Sequence, residues 1–137
     1  MKFKDFKAGM VIKHPAVVVS QAQMLEFAKA YDPQWFHVDV DRAEQGRWGG
    51  LIGSGWLTCS MAMRMAVDAA LYDSESFGSP GLEKLRWSAP VRPDDALRLE
   101  KVGTVRGLLA ALESAVDEGT DARRIGDADL DLHFGLV

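Results

Sequence analysis

The chain has 137 residues, enough for one domain around one core, so residues 1–137 are read as a single unit. With 47% hydrophobic and 26% charged residues, it has the composition of a globular protein rather than of a disordered or membrane-spanning one. A formal net charge of −4 leaves no basic footprint for a nucleic-acid backbone, and one Cys with three scattered His gives neither an internal disulfide nor a zinc-finger spacing.

The first stretch, KFKDFKAGMVIK (residues 2–13), mixes charged and apolar residues without a continuous apolar run, so no export signal is expected and the cytoplasm is the default compartment. A turn at Ala8-Gly9 leads toward Ala16–Val19, a β-branched run suited to a strand. Ser20-Gln-Ala-Gln23 then forms a capping box, and Met24, Phe27, Ala28 and Tyr31 follow at helical spacing. Pro33 pushes Asp32 out of the α region, so the helix ends there and YDPQWFHVD (31–39) enters a loop. Residues 39–45, DVDRAEQ, suit a short capped helix.

GRWGGLIGSGW (46–56) follows, with five glycines in eleven residues, and opens the longest helical pattern in the chain, Trp56 to Leu71. That helix is apolar on nearly all sides, with Arg64 and Asp68 as an i, i+4 pair, and is expected to be buried. Beyond it, Leu82–Ala89 and Ala96–Val102 are expected to be strands joined by the proline-rich turn Pro90–Asp95. The composition of Leu108–Val116 favours helix, yet its place between strands and before the turn Asp117–Thr120 favours a hairpin, which is the reading adopted. Ala128, Leu130, Leu132, Phe134 and Leu136 alternate with polar residues or glycine, the pattern of a half-buried antiparallel strand. The expected architecture is α+β, an antiparallel sheet wrapped around a long buried central helix.

Two elements carry chemistry. Asp32 and His37 lie five residues apart across an irregular turn, so a carboxylate and an imidazole can share one water and move a proton between it and a bound substrate. Spacing alone equally allows Asp32 to cap a turn and His37 to be a hydrogen-bonded loop residue. In GGLIGSGW, free amides at a helix start can hold a developing oxyanion, and Gly53 and Gly55 lack the side chains that would keep a carbonyl away. Packing of a glycine against the sheet is the plainer alternative. Without a preceding βαβ unit this is no dinucleotide fingerprint.

Taken together, YDPQWFHVD, GGLIGSGW and LRWSAPVRPDD resemble the MaoC-like dehydratases, relatives of the (R)-specific enoyl-CoA hydratases with a hot-dog fold. The resemblance runs from about Phe6 to Val102. It implies that Asp32 and His37 hold a catalytic water, that the Gly55 amide polarises a thioester carbonyl, and that Gly53, Ser54 and Trp56 also bind substrate. The family signature is Asp, a variable residue, Asn, Pro, a variable residue, His; here the Asp-to-His spacing is kept, Gln34 replaces the Asn and the proline stands at Pro33. Met63 falls where hydratases carry a serine, and Leu57 where close relatives carry a histidine.

The implied activity is addition of water to an enoyl thioester, or its removal from a 3-hydroxyacyl thioester. The substrate would be carried on coenzyme A or an acyl carrier protein, with no metal, no separate cofactor, no nucleic acid and no membrane, in a homodimer or higher homo-oligomer. A non-catalytic thioester-binding module and a thioesterase on the same fold are the alternatives. Trp35, Phe36, Trp48 and Trp56 are candidates to line an apolar pocket, although core packing is the ordinary role of each. Arg42, Arg47, Arg86 and Arg92 are surface residues by default and candidates to meet coenzyme A phosphates. Cys59 is expected as a small buried side chain, and His14 and His133 receive no role.

Overall fold

The computed structural model describes residues 5, 10–74, 85–104, 107–115 and 132–134. Strand β1 (Val11–Val18) is followed by helices α1 (Gln21–Tyr31), α2 (Trp35–Val38) and α3 (Val40–Glu44), the long helix α4 (Gly55–Ala66) and a π-helical turn over Val67–Leu71. Strands β2 (Ala96–Thr104), β3 (Gly107–Ala115) and β4 (Leu132–Phe134) follow, and among the described residues the sheet has the order β1-β2-β3-β4 with every neighbour antiparallel.

Local chemistry sets most of these boundaries. Both halves of the capping box at Ser20 form, with the Ser20 hydroxyl accepting from the Gln23 amide and the Ser20 amide donating to the Gln23 side chain at 3.1 Å. Helix α1 ends with Asp32 as its C-cap, directly before Pro33. Asp39 closes α2 with its backbone and starts α3 with its carboxylate, which accepts from the Arg42 amide. In β1 the pairing with β2 shifts between His14 and Val17, around Pro15, which has no N–H to offer the ladder.

The core forms where α4 lies over the sheet. Leu57, Ala62, Met65 and Ala66 of α4 meet Leu97 and Leu99 of β2, with Val19, Met24 and Val91 closing the sides. Burial follows one stripe of α4. The opposite stripe leaves Trp56 55% and Met63 40% exposed, because one sheet covers only one side of a helix that is apolar nearly all round. The Arg64–Asp68 pair forms on the open side at 2.8 Å.

Two strands fit the sequence reading by different routes. β3 occupies Gly107–Ala115 despite its helix-favouring composition, since register against β2 over its whole length outweighs local propensity. β4 covers Leu132–Phe134 of the expected final strand. The expected strand Leu82–Ala89 requires correction, because its described part, residues 85–89, pairs with no strand. Trp87 explains the difference: its indole donates to the Gly55 carbonyl at 3.1 Å, so this segment crosses the start of α4 instead of following a strand edge. The turns at Ala8-Gly9 and Asp117–Thr120 lie outside the described residues.

Candidate active site

Three backbone features bring distant residues to one place. The Gln34 amide donates to the Asp32 carbonyl at 2.8 Å, a tight turn around Pro33, and Gln34 is the extended N-cap of α2, so His37 lies on the single turn of α2 instead of in a loop. The glycine-rich segment then passes beside α2, where the Ile52 amide donates to the Phe36 carbonyl at 3.2 Å and the Gly53 amide to the Val91 carbonyl at 2.8 Å. Gly49 and Gly50, at φ of +61° and +149°, take backbone conformations that side chains resist, which allows this path. As a result the start of α4 faces Asp32 and His37.

Asp32 and His37 come together. His37 Nε2 lies 3.4 Å from Asp32 Oδ2, and the imidazole is buried, with 5% of the residue exposed. His37 Nδ1 is 2.7 Å from the Ile52 carbonyl oxygen. A carbonyl only accepts, so the proton is assigned to Nδ1. Neutral His37 therefore presents the Nε2 lone pair beside Asp32, and protonated His37 forms an ion pair with it. Two acceptors facing each other at this distance suit a molecule that can donate to both, as water can.

Asp32 is held at both oxygens. Gln34 Nε2 donates to Oδ1 at 2.8 Å, and the Ser54 hydroxyl donates to Oδ2 at 2.7 Å. Partial burial pushes the Asp32 carboxyl up, but these two donors, with the charge of His37, outweigh it and hold the carboxyl below its ordinary value. Asp32 is thus an anion with its lone pairs directed, and His37 is the imidazole beside it.

Asp32, His37, Gly53, Gly55 and Trp56 line a cleft of about 390 Å³. Ser54 does not line it; only 1% of the residue is exposed, and its hydroxyl faces Asp32. Among the described residues the Gly55 amide has no hydrogen-bond partner, as expected at the first position of a helix. The indole of Trp87 packs onto Gly55 so tightly that a Cβ there would come within 2.4 Å of the ring. The same ring meets Trp56 edge-on at a centroid distance of 5.7 Å.

Of the aromatic candidates, Trp48 and Trp56 line the cleft, whereas Trp35 packs under Arg42 and against Gly46. Phe36 stacks edge-on against Trp35 and His37 and is not part of the lining. Two arginines gather at Trp48: Arg47 lies over its ring at 5.2 Å, and Arg92 donates to its carbonyl at 2.7 Å. Sequence reasoning missed Thr58 and Trp87 as lining residues and the Ile52 carbonyl as the partner of His37. Only Trp87 had a signal, as the sole aromatic in LRWSAPVRPDD, the third segment of the motif set. Cys59 is half-buried, and burial pushes its thiol up despite the nearby Trp87 indole, so it is not an activated nucleophile. No described helix is long and apolar enough to cross a membrane.

Comparison with known proteins gives the family and the fold. The family model described as "MaoC like domain" matches residues 5–110. The uncharacterized protein YdeM of Bacillus subtilis is 32% identical over 97 residues, 71% of this chain and 69% of that protein. The 3-hydroxyacyl-thioester dehydratase Z of Mycobacterium tuberculosis is 34% identical over 77 residues, and the match spans about half of its length, 51%. Among solved structures, the MaoC-like dehydratase from Rhodospirillum rubrum superimposes with a TM-score of 0.74 at 22% identity, covering 100% of this chain and 98% of that one. The (R)-hydratase PhaJ1 from Pseudomonas aeruginosa gives 0.72 at 15% identity, covering 97% and 83%. With the hot-dog fold in common with these structures and the family model matched over most of its length, the chain belongs to the MaoC-like domain family.

Proposed function

We propose that the protein is a hydro-lyase that adds water to an enoyl thioester or removes it from a 3-hydroxyacyl thioester, with Asp32 and His37 as its catalytic residues. One observation carries this reading: Asp32 and His37, with Oδ2 and Nε2 3.4 Å apart, line the same cleft as Gly55, whose amide has no partner among the described residues. The likeness to the 3-hydroxyacyl-thioester dehydratase supports the same reaction class.

In the hydration direction a water donates to Asp32 and to the Nε2 lone pair of His37. As Nε2 takes one proton, the water oxygen bonds to C3 of the enoyl group and the C2–C3 π electrons move toward the thioester carbonyl. The Gly55 amide stabilises the enolate oxygen, helped by the exclusion of water where Trp87 covers the helix start. The proton on Nε2 then passes to C2, the carbonyl re-forms and His37 is neutral again. Read backwards, the same steps remove water. Asp32 orients the water and stabilises the imidazolium in the middle of the cycle, a role that suits a carboxylate of depressed pKa.

No step draws on a metal or a separate cofactor; coenzyme A or a carrier protein arrives as part of the substrate. The protein works in the cytoplasm as a homodimer or a higher homo-oligomer. Incubation with crotonyl-CoA and longer enoyl-CoAs tests the reading by loss of the conjugated absorbance. Wild type should consume at least one of them, and Asp32→Asn should be slower by about 100-fold or more, the scale of a lost acid/base contribution. Equal inertness of both proteins toward coenzyme A and carrier-protein thioesters would sink it. Tight binding of acyl-CoA without turnover would identify a binding module, the reading favoured by Met63 in the position where hydratases carry a serine.

A further inference from the structure

We infer that Ser54 is a positioning residue: its buried hydroxyl relays the start of α4 onto Asp32, tying the proton-moving pair to the amide that receives the carbonyl. This rests on the reading of Asp32 and His37 as the water-handling pair.

The direction of each hydrogen bond is fixed by chemistry. The Ser54 hydroxyl has one proton and the Asp32 carboxylate has none, so Ser54 donates across the 2.7 Å contact to Oδ2. The Trp56 amide can only donate, and it does so to Ser54 Oγ at 3.3 Å. The chain therefore runs from the Trp56 amide through Ser54 Oγ to Asp32 Oδ2. It carries the positive end of the α4 dipole to the carboxylate oxygen that also faces His37 Nε2 at 3.4 Å.

Ser54 is the N-cap of α4, and Gly55, whose amide has no partner among the described residues, comes next in the chain. The first turn of one helix thus serves two ends of the reaction, with Trp56 directed to Asp32 and Gly55 left for the ligand. Burial makes the tie stiff, since only 1% of Ser54 is exposed and no solvent competes for its proton. Ser54 does not line the cleft, so it acts through Asp32 and not on the substrate.

A pure capping role and a positioning role predict different variants. Ser54→Ala removes both the cap and the donor, whereas Ser54→Gly keeps most of the N-cap preference and removes only the donor. The Asp32 carboxyl midpoint, followed by carbon NMR of the carboxyl in the folded protein, should rise by a similar amount in both variants despite their different thermal stabilities. Ser54→Thr, which keeps the hydroxyl, should move it back toward wild type. With an enoyl-CoA that wild type hydrates, kcat should fall about 10- to 100-fold in Ser54→Gly, with KM little changed and the acid limb of the pH profile moved up. An Asp32 midpoint unmoved in folded Ser54→Gly would overturn the inference. Because the carboxyl titration needs no substrate, it decides the role of Ser54 even if wild type hydrates no thioester.

Discussion

Asp32 has a donor on each oxygen, Gln34 at 2.8 Å and Ser54 at 2.7 Å. This explains how the chain accommodates its departure from the family signature. The proline stands two places earlier than in that signature, at Pro33, and Gln34, one methylene longer than asparagine, reaches back to the Asp32 carboxylate. Gln34→Ala should therefore raise the Asp32 midpoint and the acid limb of kcat/KM without changing the fold, and Gln34→Glu should raise both further by placing a second carboxylate there. The pH dependence has a definite sign. The folded pKa of Asp32 is depressed, so its contribution to stability is complete above the ordinary carboxylate value of about 4 and is lost as the pH falls through the lower folded value. Acid unfolding should begin at higher pH in Gln34→Ala than in wild type, as circular dichroism against pH would show. The closeness of Asp32 and His37 could be read from the sequence because five residues and a proline confine the pair locally, whereas spacing alone left their role open between a proton-moving pair and a turn cap beside a loop histidine. Ser54 was legible only as a member of a glycine-rich motif, since its partner lies 22 residues away and the hydroxyl's direction depends on how two elements pack.

At the scale of elements, what short-range chemistry decides could be read and what packing decides could not. Ser20 and Gln23 announce the start of α1 unaided, and Ser20→Ala should cost about 1 kcal/mol in chemical denaturation. Pro33 announces the end of the same helix. β3 was legible only from its neighbours, because Leu108–Val116 carries helix formers and its register with β2 comes from the sheet. The segment before Pro90 was expected to be a strand, but Trp87 binds the start of α4, a contact set by packing. Gly55 is the counterpart of that contact. Gly55→Ala would drive a methyl into the indole of Trp87, and because the ring is half exposed it can move aside. The expected result is a modest stability loss of about 1–3 kcal/mol together with a larger loss of activity. Intrinsic fluorescence of the displaced tryptophan and steady-state kinetics would separate the two effects.

For the whole molecule, the sheet and α4 enclose one core, and its centre is the meeting of α4 with β2. Leu99 is fully buried there, and Leu99→Ala should cost about 2–5 kcal/mol in urea unfolding. The outer surfaces are less complete. Trp56 and Met63 on α4, and Val11 and Val18 on β1, the end strand of the sheet among the described residues, are exposed apolar side chains. Such surfaces on one side of a helix and along a sheet edge are the sort that a second copy covers. Sedimentation should accordingly give a dimer or larger assembly at micromolar concentration, and a monomer would argue against the proposed assembly.

In the proposed reaction Asp32 and His37 deliver water to C3 of a thioester, and hydration in oxygen-18 water follows that oxygen. Wild type incubated with crotonyl-CoA should give 3-hydroxybutyryl-CoA carrying one oxygen-18 on C3 with the thioester intact, and His37→Ala should give almost none. Oxygen-18 in a free carboxylate with release of the coenzyme A thiol, or an enoyl thioester bound and recovered unchanged, would contradict it.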